Sequence, residues 1–320
     1  MPDSPTSLTK GRPATADATE TKAGNAPVRP LVAAGLLALV ILIWGANWPI
    51  MKVGLQDIPP FLFAASRMVL GSLTLFAVAA LAGELRLPHR ADWPIVIWVA
   101  LLQMAGFVTL ISIALQIVPA GRSAILSYTT PLWVVPLAVL FLGEKVGRMK
   151  LLGLLAGLAG VAVLFNPLAV DWGDGRALLG NGLLMLAALA WAVNIVQVRG
   201  HRWRGTPLSL APWQTLIASL ILVPLAAALD WGKPIDWSWD LAAIVVYNGP
   251  IATAFCFWAM VTVNRALPAV TLSLGTLGTP AVGLILSAWW LGEALTATIL
   301  AGLGFIAAGL VLVALADRRS

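Results

Sequence analysis

Two tryptophan–asparagine pairs lie deep in apolar sequence, Trp44 with Asn47 and Trp191 with Asn194. A spacing of three residues puts each ring and its amide on one face of a helix. An aromatic wall carrying an amide or two suits a small zwitterionic or amphipathic solute. The same amides would serve equally well as hydrogen bonds between helices. Gln103, Tyr128, Tyr247 and Trp258 are of the same chemical kind and would complete a neutral, aromatic pocket. Arg67 is the one charge inside an apolar run. It lies about 10 Å along a helix from Pro60 at 1.5 Å per residue. That depth leaves two readings: a structural one, snorkelling to the interface or locking helices together, and a clamp for a substrate carboxylate. Pro131 and Pro280 interrupt two further runs. A proline inside a helix removes a backbone hydrogen bond and kinks it, which predicts either a static bend or a gating hinge.

What is missing limits the chemistry as firmly. All fourteen Asp and Glu residues fall in tails, loops or the ends of apolar runs, and His89 and His201 lie in loops. A proton relay within a membrane needs a buried carboxylate or histidine. Tyr128, Tyr247, Cys256 and Arg67 are poor substitutes, since their ordinary pKa values are about 8.5 or higher. A dedicated site for a permanent cation is disfavoured for the same reason. No paired acids, metal cluster or nucleophile with a base emerges, so no enzyme active site, metal or cofactor is expected. A lone cysteine, Cys256, excludes a disulfide framework.

The elements that must position these residues are membrane helices. Of 320 residues, 60% are hydrophobic and 11% charged, and the mean hydropathy is +0.91. A soluble domain could not hide so much apolar surface. Apolar runs predict ten spans at 31–50, 61–82, 93–115, 124–142, 149–165, 177–198, 208–229, 241–263, 269–291 and 295–316. Continuous runs without alternation argue for helices over a barrel. Residues 1–29, rich in Pro, Ser, Thr, Ala and Lys, predict a disordered tail rather than a cleavable leader. The net charge of +6 has a use other than nucleic acid. With the tail in the cytoplasm, fifteen Lys or Arg face that side and four the other, which puts both termini inside.

The chain contains its pattern twice. Pro119-Ala120, Thr130-Pro131 and Leu142-Gly143-Glu144 recur 149 residues on as Pro268-Ala269, Thr279-Pro280 and Leu291-Gly292-Glu293. An offset of 147 relates Trp44 and Asn47 to Trp191 and Asn194, and Arg67 to the neutral Gln214. Five spans per copy is an odd number, so the second copy must enter the membrane upside down. The expected units are 31–165 and 177–316, with a substrate site where they meet. Glu144 and Glu293 read as boundary residues at helix ends.

These stretches, with Trp44-Gly45-Ala46-Asn47 in the first span and Ala65-Ser66-Arg67-Met68 in the second, resemble the ten-helix branch of the drug/metabolite transporter superfamily, with two EamA-type repeats. Within it the chain is similar to YddG-type amino-acid exporters of bacterial inner membranes. The resemblance implies a basket of ten helices around a central cavity, alternating access, and export of small metabolites; a monomer is expected. Phosphate-bearing substrates would need several cavity cations, and one Arg is too few. Neutral or zwitterionic solutes remain, and the resemblance selects amino acids. With no proton-binding side chain in the membrane, transport is expected to be facilitative. A proton antiporter working through a loop carboxylate such as Glu144 is the alternative, and a membrane enzyme or receptor is the alternative of another class.

Overall fold

The computed structural model describes residues 28–118, 120–165, 173–291 and 297–317. Glu293, Pro119 and the tail to residue 27 lie outside them. The described residues form helices and no strand. Eight helical stretches are long and apolar enough to cross a membrane: Pro30–Asp57, Pro60–Leu81, Trp93–Ile117, Ser123–Leu142, Gly175–Gly200, Pro207–Leu229, Trp239–Ala266 and Ala269–Trp290. Their outer faces are bare of polar cover. Leu81 and Trp289, for example, are 89% and 83% exposed, which only lipid would tolerate at such density.

We number the helices α1 (Pro30–Asp57), α2 (Pro60–Leu81), α3 (Trp93–Trp98), α4 (Phe107–Ile117), α5 (Ala120–Ser127), α6 (Thr130–Leu137), α7 (Arg148–Phe165), α8 (Gly175–Gly200), α9 (Pro207–Leu229), α10 (Trp239–Val246), α11 (Cys256–Ala266), α12 (Ala269–Gly275), α13 (Gly278–Leu291) and α14 (Ala297–Asp317). Helices α7 and α14 pack on each other. A Cβ on Gly160 would come within 2.6 Å of the Gly302 carbonyl oxygen, so that crossing depends on glycine.

Several stretches that read as single spans are compound. Wider π-helical turns at Val99–Gly106 and Tyr247–Phe255 join α3 to α4 and α10 to α11. Pro250 lies in the second and cannot donate to the ladder. The runs holding Pro131 and Pro280 are broken outright, between α5 and α6 and between α12 and α13. This corrects the expectation of a kink within a continuous helix. Each proline lies in the first turn after the break, where a missing N–H costs nothing. Local hydroxyls satisfy the freed carbonyls: Thr130 Oγ1 donates to Ser127 O at 3.0 Å, and Thr276 Oγ1 donates to Ser273 O at 2.8 Å.

Carboxylates at helix ends tie the bundle together. Asp230, 1% exposed at the end of α9, accepts from the backbone N–H groups of Phe61 (2.8 Å) and Leu62 (3.0 Å), which open α2. At the other end Glu84, beyond α2, accepts from the hydroxyl of Thr206, the N-cap of α9. Each helix therefore ends where the other begins, so α2 and α9 lie side by side in opposite directions. Glu144 likewise caps α12, accepting from Ala269 N at 2.7 Å and Val270 N at 3.2 Å. Carboxylates suit such positions because a helix start presents unpaired N–H groups and partial positive charge.

Candidate functional site

A central cavity lies between α1, α2, α4, the α5–α6 break and α8. From α1 come Trp44, Asn47, Trp48 and Met51, from α4 Phe107, Val108 and Ile111, and from the α5–α6 region Ser127, Tyr128 and Thr130. Arg67, Trp191 and Phe257 complete the wall. Four of these, at 44, 47, 48 and 51, follow the i, i+3, i+4, i+7 pattern of one helix face. Tyr128 reaches the cavity because it lies in the break itself.

The rings hold one another in place. Trp44 meets Trp191 edge to face with centroids 5.4 Å apart, and meets Phe257 at 5.8 Å. Phe107 lies 4.7 Å from Trp191, and Trp48 lies 6.3 Å from Tyr128. The Trp44 indole N–H donates to Ala252 O at 2.8 Å, a carbonyl in the π-helical segment Tyr247–Phe255. The free space is about 50 Å³. At roughly 10–15 Å³ of such space per water, the cavity holds a few waters, and a metabolite would require the walls to part.

Arg67 is the electrostatic centre. It is 4% exposed and faces the cavity rather than an interface. Its Nε donates to Thr253 Oγ1 at 3.0 Å and its Nη1 to Met51 Sδ at 3.4 Å, the latter a weak acceptor. Among the described residues no carboxylate pairs with it. Its ionisable neighbours, Cys256 and Tyr247, are neutral near pH 7 at their ordinary pKa values of about 8.5 and 10. A buried cation without a counter-charge costs several kcal/mol.

Of the residues singled out from sequence, Trp44, Asn47, Arg67, Tyr128 and Trp191 meet at this cavity. Gln103 and Asn194 instead bond to each other behind the wall, Asn194 Nδ2 donating to Gln103 Oε1 at 2.6 Å. Tyr247 turns away and donates to Ile43 O at 2.9 Å. Trp258 packs beside Leu75, Ala211 and Ala254. Sequence reasoning missed Trp48 and Met51, although both continue the Trp44–Asn47 stripe. It also missed two deeply buried loop acids. Besides Asp230 there is Asp92, fully buried, which accepts from His201 Nε2 (3.0 Å), Gly205 N (2.8 Å) and Arg204 N (3.1 Å).

The EamA-like transporter family model matches residues 31–166 and again 178–315. The chain belongs to that family. It carries two EamA repeats, and the family and the names of its relatives point to transport rather than enzymatic work. The transporter is 30% identical to the uncharacterized transporter YvbV of Bacillus subtilis, over 87% of this chain and 90% of the relative. It is 27% identical to a probable terminal-alkyne amino-acid exporter of Streptantibioticus cattleyicolor, over 89% of this chain and 93% of that protein. It is also 27% identical to a probable amino-acid metabolite efflux pump of Escherichia coli, covering 88% and 93%. A solved crystal structure aligns with a TM-score of 0.72 at 23% identity, over 91% of this chain and 99% of its own, a likeness of fold alone.

Proposed function

We propose that this transporter exports small neutral or zwitterionic metabolites, amino acids foremost, across a bacterial inner membrane by alternating access. The composition of the cavity wall carries this reading: indole, phenyl and phenol rings, one amide, two aliphatic hydroxyls and a single guanidinium. A phosphate ester would require more cations, and a permanent cation would require an acid. The names of the two amino-acid exporting relatives support the substrate class. Trp44, Asn47, Tyr128 and Trp191 would touch the solute, while the Gln103–Asn194 pair, Tyr247 and Trp258 support the helices behind them. Counterflow in liposomes against the twenty amino acids tests the reading. Exchange of none of them would retire it.

In this reading α7 and α14 join the eight stretches given above to make ten spans, as two inverted five-helix repeats, 31–165 and 177–316, in a monomer. The reciprocal capping of α2 and α9 supports the inversion, because helices related by 147 residues here run in opposite directions. Both termini are cytoplasmic. A reporter fused to the C-terminus should be active only there, and activity outside would overturn the ten-span model. The breaks before Pro131 and Pro280 serve as hinges. Transport is facilitative, a reading supported by a wall without a carboxylate or histidine. An imposed pH gradient across liposomes holding equal substrate on both sides should move no net solute. Accumulation abolished by a protonophore would replace this reading with proton antiport.

A further inference from the structure

Arg67 and Asn47 share an unusual property. Both are more than nine-tenths buried, both line the cavity, and the protein leaves the polar capacity of each unfilled. The guanidinium carries five N–H donors, and its protein acceptors among the described residues are one hydroxyl and one thioether. The Thr253 contact engages Nε and the Met51 contact engages Nη1, which leaves Nη2 without a protein acceptor among the described residues. Asn47 presents the complementary deficit, an amide oxygen Oδ1 that accepts from nothing among the described residues. The two groups are neighbours through Met51, which Arg67 touches and which follows Asn47 by one helical turn, about 6 Å along α1.

We infer that Arg67 and Asn47 form a two-headed subsite for the backbone of a free α-amino acid. The guanidinium receives the α-carboxylate and the Asn47 oxygen receives the α-ammonium. This rests on the reading of the cavity as an amino-acid site and sharpens it. The carboxylate supplies the counter-charge that the fold withholds, in the short charge-assisted geometry that guanidinium favours. An α-amino acid carries its two charges on neighbouring atoms of one small group, so it can answer both deficits at once. Its side chain would then lie among Trp44, Phe107 and Trp191, where rings accept apolar groups of varied shape. Selectivity would accordingly lie in the backbone charges, with tolerance in the side chain.

The test removes one head at a time. L-Leucine, L-phenylalanine and L-threonine each compete in counterflow, in liposomes holding the full chain, against their own amide and N-acetyl derivative. The amide lacks the carboxylate at nearly unchanged size, and the N-acetyl form lacks the ammonium while adding an acetyl group, so its comparison is read through the Asn47→Ala variant. Each free amino acid should compete at least ~10-fold better than its amide, the effect of losing a charge-assisted hydrogen bond. Arg67→Gln should erase that gap, and Arg67→Lys should restore part of it. Asn47→Ala should erase the preference over the N-acetyl form while leaving the amide gap in place. If amide and free acid compete equally in the unaltered protein, the subsite is wrong although amino-acid export stands, and the unaltered protein gives this result even if a variant fails to fold. A gap that survives in Arg67→Gln also overturns the assignment. If no amino acid exchanges, the functional reading fails first and the subsite falls with it.

Discussion

The two halves of this transporter contribute unequally to its cavity. Among the described residues, eleven of the thirteen in the wall come from the first half, and Trp191 and Phe257 from the second. Positions related by 147 or 149 residues show how the halves parted. Trp44 and Trp191 both keep their place in the wall, ring against ring. Asn47 faces the cavity, whereas Asn194 is spent on Gln103. Arg67 faces the cavity, whereas Gln214 is buried with neither amide atom bonded. Tyr128 lies in one helix break, and Leu277, fully packed, in the other. The frame has diverged less: an acid at the end of α2 meets the start of α9, and an acid at the end of α9 meets the start of α2. The two repeats thus share scaffolding, while the described cavity wall draws mostly on the first.

The sharpest way to break this comparison is at the residue both halves retain. Trp191→Ala removes a ring packed on Trp44 and Phe107 and should cost about 3–5 kcal/mol of stability, read by thermal unfolding, with counterflow lost. Trp191→Phe should keep most of the stability and isolate the transport effect. The two asparagines should then behave in opposite ways. Asn194→Ala strands the Gln103 amide, so it should destabilise by about 1–3 kcal/mol and leave the flux of folded protein close to normal. Asn47→Ala breaks no protein hydrogen bond made by its oxygen, so stability should hold within ~0.5 kcal/mol while flux falls. Equal effects from the two would erase the distinction between halves. The frame provides the smallest contrast. Asp230→Asn weakens a buried, doubly accepting cap by about 1.5–3 kcal/mol, while Glu84→Gln, at a less enclosed end, should cost no more than ~1 kcal/mol. Melting temperatures that rank them the other way would show that the two ends are not used alike.

Much of the helical frame was legible because lipid imposes it. A run of about twenty apolar residues has few alternatives to a helix, and the Trp–Asn spacing marks one face before any coordinates exist. The details that shape the cavity were not legible. Hydropathy is blind to an extra residue in a turn, so the π-helical stretches at Val99–Gly106 and Tyr247–Phe255 left no trace. A proline marks a disturbance without saying whether the helix bends around it or restarts just before it. The breaks at Tyr128 and Leu277 depend on threonine hydroxyls finding nearby carbonyls, which is a matter of geometry. The Gln103–Asn194 bond joins residues 91 apart, and periodicity within either helix could not choose between that bond and the cavity. Asp92 and Asp230 fell in loops by hydropathy, where acids are ordinarily hydrated. Asp230 is buried against the start of α2, which it caps, and Asp92 against loop N–H groups of Arg204 and Gly205 just before α9.

The clasps at both ends of α2 and α9 have a mechanical consequence. A pair of helices fastened at one end can scissor, but a pair fastened at both ends behaves as a plank. Sliding α2 along α9 would break the Glu84–Thr206 and Asp230–Phe61 contacts together, leaving the Thr206 hydroxyl without its carboxylate and the Phe61 N–H at the start of α2 without its acceptor. In the alternating-access reading proposed above, the segmented helices, with their breaks at Tyr128 and Leu277, would yield against this plank. Arg67, seven residues past Pro60 at the start of α2, would in that reading stay put while the aromatic walls part around it.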